Sequence, residues 1–94
     1  MMDSMKVMFY GKPDTVLQNR EYQRLITETK NQLGDDVVEI RDAVSRDSVN
    51  QMEIYQIVKT PAVLIAREDG SPVAMWQHTL PTISDIGYYY QSDR

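Results

Sequence analysis

The residues best suited to chemistry sit in one stretch, Tyr10-Gly11-Lys12-Pro13-Asp14-Thr15-Val16-Leu17-Gln18. An apolar run bends there at Gly and Pro and passes into a helical pattern. A hydroxyl such as that of Thr15 near the start of a helix can hold an anion, because the first N–H groups point at it. Lys12 adds a cation three residues earlier. Nucleophilic use of the hydroxyl would need a general base within reach, and the neighbouring sequence offers none, so a first-turn helix residue is the plainer role for Thr15. His78, the single histidine, follows an apolar run and reads as a solvated side chain rather than a catalytic one.

Cysteine is absent. Disulfide exchange needs one thiolate to attack sulfur and a second thiol to resolve the mixed disulfide, so that reaction is excluded. Thiolate metal sites are excluded with it, and one histidine cannot build a zinc site without several carboxylates. Neither a metal nor a cofactor is expected.

These residues need elements to hold them. Lys6-Val7-Met8-Phe9-Tyr10 is a nearly continuous apolar run, the pattern of a central strand covered on both faces. Asp14 reads as the N-cap of a helix whose stripe is Leu17, Tyr22, Leu25, Ile26, Thr29 and Leu33, ended by Gly34. Residues 37–41 read as a second strand. Ser48 with Gln51 has the capping-box form, predicting a helix from there to about Lys59 that buries Val49, Met52, Ile54, Tyr55, Ile57 and Val58. Residues 62–66 and 73–76 are short apolar runs around Asp69-Gly70 and predict an antiparallel hairpin. Thr82-x-x-Asp85 after Pro81 predicts a last helix packed by Ile83, Ile86 and some of Tyr88, Tyr89 and Tyr90, although Gly87 costs it about 1 kcal/mol relative to alanine.

The order is β-α-β-α-β-β-α. The first β-α-β must be a right-handed parallel crossover, so an α/β fold with a four-stranded mixed sheet flanked by helices is expected. With 94 residues the chain reads as one domain, 1–94. Hydrophobic residues make up 41% and charged residues 26%, ordinary for a globular protein. The net charge is -4 and the ten basic residues are scattered, which argues against nucleic acid and against an anionic membrane. The N-terminal residues lack the pattern of a signal peptide, and no run reaches the roughly 18 apolar residues of a spanning helix, so cytoplasmic residence is the expectation.

The element order, with Thr60-Pro61 opening the third strand, resembles the thioredoxin superfamily and most closely its glutaredoxin-like redoxins. Their first loop has the form Tyr-x-Lys-Pro-Asn/Asp-Cys-Val-x-Cys; here Tyr10, Lys12, Pro13, Asp14 and Val16 match while Thr15 and Gln18 stand in the sulfur positions. Laid over the thioredoxin Trp-Cys-Gly-Pro-Cys instead, Gly11 and Asp14 take those positions, with the same consequence. Trp76 and Pro81 match the redoxins' Trp-x-Gly-x-x-Pro, with the glycine missing.

The resemblance implies a thioredoxin-like fold and a cis bond before Pro61. A cis bond there would expose the Thr60 backbone for pairing with an extended chain; a trans Pro61 at a strand edge is the alternative. It also implies that Lys12, helped by Lys59, stands where glutaredoxins meet the glutathione glycine carboxylate. Thr79-Leu80-Pro81-Thr82-Ile83-Ser84-Asp85 lacks their Gly-x-Ser/Thr-Asp turn, against a glutathione site.

Three functions follow as expectations. The first is a redox-inactive adaptor binding a partner protein or extended peptide in a groove of Tyr10, Lys12, Pro13, Asp14, Thr15, Gln18, Lys59, Thr60, Pro61 and Trp76. The second is a cysteine-independent, glutathione-related enzyme using Lys12 and Thr15. The third is a regulator similar to the circadian KaiB family, which also lacks catalytic cysteines. A helix cannot bury Tyr88, Tyr89 and Tyr90 together, so that terminus is a candidate contact patch for a homodimer or another protein.

Overall fold

A strand apolar on consecutive residues has to be covered from both sides, and the computed structural model, which describes residues 5–92, is arranged around two such strands. The elements are β1 (Met5–Gly11), α1 (Pro13–Gln18), α2 (Arg20–Leu33), β2 (Val38–Asp42), α3 (Arg46–Ile54), β3 (Ala62–Arg67), β4 (Pro72–Gln77) and α4 (Ile83–Ser92), with a 3-10 turn at Asp35–Val37. The sheet order is β2-β1-β3-β4. β1 runs parallel to β2 with Val7 opposite Val38, and antiparallel to β3 with Val7 opposite Ile65. β3 and β4 form the antiparallel hairpin, with one register shift at Ile65/Ala66. This is the mixed α/β architecture that the sequence predicts.

Alternation along the strands sends side chains to two separate cores. Val7, Phe9, Val63 and Ile65 meet Tyr22, Leu25 and Ile26 of α2 and Ile86 of α4. On the opposite face Met8, Tyr10, Ala62, Leu64 and Ala66 meet Ile57, with Met52 and Tyr55 of the α3 region packed against them. The helices therefore flank both faces, and β1 and β3 lie buried between them.

The expected first helix is two helices. Asn19 interrupts it, in an extended conformation, and its side chain accepts a hydrogen bond from Tyr22 N at 3.0 Å as the N-cap of α2. Leu17, placed on the buried stripe by a continuous helix, is 77% exposed as a result. α1 begins at Pro13, whose fixed φ suits a first helical position, so Asp14 lies in the first turn and is not the N-cap.

α3 differs at both ends. Ser45, not Ser48, is its N-cap, with Oγ accepting from Ser48 N at 3.3 Å. The helix stops at Ile54, because Gln56 adopts φ 60°. Gln56 N donates to Glu53 O (3.1 Å) and Ile57 N to Met52 O (2.7 Å), the two bonds of a Schellman ending, and Ile57 and Met52 share a core. Ile54 and Val58 consequently face solvent and Val49 is also exposed, so only part of the apolar set expected of this helix is buried. At α4 the capping box is present: Asp85 N donates to Thr82 Oγ1 and Thr82 N to an Asp85 carboxylate oxygen, both at 3.1 Å. Ile86 is buried while Tyr88 and Tyr89 are exposed.

Tyr22 is fully buried, its ring edge-on to Phe9 at 5.8 Å, and its hydroxyl has no hydrogen-bond partner. Burial raises its pKa above the ordinary phenol value of 10.0. The neutral phenol therefore supports folding fully below about pH 10, and that support is lost as pH rises from there toward the folded-state pKa. Tyr22→Phe keeps the ring and deletes the unpartnered group; it should raise stability at neutral pH by about 1 kcal/mol and lessen the alkaline loss, both read by denaturant unfolding at pH 7 and above pH 10. Gln56→Gly relieves a left-handed residue without disturbing the Schellman bonds and should stabilise by about 0.5–1 kcal/mol in the same assay.

Candidate functional site

Strand register gathers the candidate residues at one end of the sheet. Tyr10 lies opposite Ala62, Ala62 opposite Gln77, and Gly11 opposite Asp42. The exits of β1, β2 and β4 and the start of β3 are thus neighbours, which brings Lys12, Thr60-Pro61 and His78 to the same end. Two backbone bonds tie this end together: Ala43 N to Gly11 O at 3.0 Å, and His78 N to Pro61 O at 3.2 Å. The Thr60-Pro61 peptide bond is cis, and His78 adopts φ 72°.

The side chains differ in what they offer. Lys12, Pro13, Asp14, Gln18 and Lys59 are exposed, and Thr60 and Pro61 are half-buried. Gln18 borders an open depression of about 600 Å³ at the junction of α1 and α2, shared with Asn19, Arg20 and Glu21. Thr15 is the third residue of α1, and its side chain lies outside what the structure describes.

Tyr10 and Trp76 do not share a wall. Trp76 is half-buried on the α2/α4 face, its ring 5.6 Å from that of Tyr89. Tyr10 has no accessible surface; it points into the α3-side core, where its hydroxyl donates to Gln51 Oε1 at 2.7 Å. Burial raises the Tyr10 pKa, and the nearby Arg41 charge offsets part of the rise. Tyr10 is therefore a support beneath the site and is removed from the expected groove lining. The periodicity of β1 carries the signal: Tyr10 alternates in phase with Met8, so it shares the face that α3 covers.

Gln77 is the residue that sequence reasoning missed. From the end of β4 its Oε1 accepts hydrogen bonds from Val58 N (2.8 Å) and Lys59 N (3.2 Å), while its Nε2 donates to Gln56 O (3.2 Å). One amide thus holds the segment that leads into Pro61. Nothing in residue type or spacing marks it, since the partners are backbone groups 18 to 21 positions away. Val58, 82% exposed, stands on this held segment. Val44 in the β2–α3 turn and Leu17 on α1 are further exposed apolar side chains near the same end.

The arrangement provides polar backbone, cations and small apolar surfaces. Among the described residues no group of three or more His, Asp or Glu side chains could hold a metal ion, and no helix is long and apolar enough to cross a membrane. No family model matches the sequence, and no curated protein matches it.

Gln77→Leu strips the acceptor from two N–H groups and the donor from one carbonyl. Amide exchange at Val58 and Lys59 should quicken at least tenfold, with a global loss of about 1 kcal/mol because the site is open to water. Gln77→Glu retains the acceptor and should keep both amides protected, as hydrogen-exchange NMR would read.

Proposed function

We propose that this chain is a redox-inactive, thioredoxin-like adaptor that works in the cytoplasm and binds an extended segment of a partner protein at the Thr60-Pro61 end of the sheet. The observation that carries the reading is the juxtaposition there of a half-buried Thr60-Pro61 pair with exposed Val58, Lys59 and Lys12. An extended peptide gains affinity from main-chain hydrogen bonds and specificity from its alternate side chains. Thr60 backbone supplies the first, and the apolar surfaces of Val58 and Leu17 supply contacts for the second. Lys12 and Lys59 favour a segment carrying carboxylates. Gln77 keeps the receiving segment in place before the ligand arrives, which lowers the ordering cost of binding.

Absence of cysteine directs the reading toward binding rather than catalysis, since the same end of the sheet in redoxins works through thiols. The glutathione-related enzyme is a separate reading with its own result. Saturable amide shifts confined to Lys12, Thr15 and Thr60 on titration with millimolar glutathione would favour it over the adaptor.

The direct test selects extended peptides from a displayed random library on the wild-type protein and measures their affinity for Thr60→Arg. Selected peptides should bind the variant about tenfold or more weakly, equivalent to ~1.4 kcal/mol, at an unchanged melting temperature. Equal binding to both proteins would remove the groove from the proposal.

A further inference from the structure

Charge is unevenly distributed along this chain. From Ser71 to Ser92 the one charged side chain is Asp85, although charged residues make up 26% of the whole. That stretch contains β4, a terminal strand of the sheet, and α4 beside it. The opposite terminal strand, β2, carries Glu39, Arg41 and Asp42, with Glu39 and Arg41 paired along one face of the strand. Charges and prolines on an edge strand discourage pairing with another chain, so β2 is protected by charge, whereas β4 carries only Pro72, at its start.

The uncharged edge is flanked by apolar groups on both faces. On the α2/α4 face Trp76 meets Tyr89 edge-on, and Tyr89 meets Tyr88 at 5.2 Å, with Tyr88 66% exposed. On the α3 face Met75 is exposed. Aromatic residues and methionine are enriched at interfaces, and charges are depleted at interface cores.

We propose that two copies of this chain associate through β4, antiparallel, making one eight-stranded sheet with Trp76, Tyr88 and Tyr89 of both copies covering one side of the seam and Met75 the other. A second copy is the occupant favoured by charge. The molecule carries a net -4, and two such anions approach with least repulsion through the surface that has almost no charge, while an antiparallel two-fold pairing sets neutral residues opposite neutral residues throughout. Pro72 lacks an N–H, which limits the new ladder to Val73–Gln77. This inference goes beyond the adaptor reading and does not rest on it. It places the two Pro61 ends at opposite ends of the joint sheet, so each remains open.

Sedimentation equilibrium on the full chain tests it. Wild type should weigh twice the 10.9 kDa chain at micromolar concentrations, and its β4 amides should exchange more slowly as concentration rises. Met75→Lys sets like charges across the seam and Tyr88→Lys places them beside it; each should weaken association about tenfold or more with the circular-dichroism spectrum unchanged. Three outcomes would overturn the proposal: a wild-type monomer up to several hundred micromolar, a dimer equally stable in both folded variants, or a monomer that takes up a foreign peptide strand on β4.

Discussion

Burial of β1 and β3 on both faces is the constraint from which the rest of the molecule follows. Val7, Phe9, Val63 and Ile65 on one side, and Met8, Tyr10, Ala62 and Leu64 on the other, have no accessible surface or nearly none. A sheet with two apolar faces needs two layers of cover. α2 and α4 supply one and the α3 region the other. Because β1 must pair with both β2 and β3, the loops that leave and enter these strands are forced to one end of the sheet, and the candidate site is what collects there.

Different parts of this layout were legible to different degrees. The strands, the hairpin and the Thr82–Asp85 box are written in local patterns, and each is found where those patterns lie. The helix boundaries were harder to read because two signals compete. Asn19 stands inside a run of helical spacing, yet its backbone is extended and its side chain accepts from Tyr22 N as the cap of a new helix. Gln56 takes the left-handed position usually given to glycine, so no residue type announces the stop. Each shift exposes apolar side chains, Leu17 in one case and Ile54 and Val58 in the other, that periodicity alone assigns to the core.

The site was legible as a place more than as a set of contacts. Lys12, Lys59, Thr60 and Pro61 come together because pairing of β1 with β3 leaves them no alternative. Tyr10 looked like part of the same surface because it adjoins the loop, but a strand residue faces whichever layer its parity dictates. Gln77 was invisible for the opposite reason: a side-chain amide bonding to remote main chain leaves no imprint on local composition.

That amide has a mechanical meaning as well. A single side chain spans from the hairpin to three of the four positions 56–59 of the crossing segment, Gln56 through its carbonyl and Val58 and Lys59 through their N–H groups, while the fourth, Ile57, is anchored in the core. Hairpin and crossing segment are thereby yoked, and a tug on the outer strand would be felt at the proline without travelling through the centre of the protein.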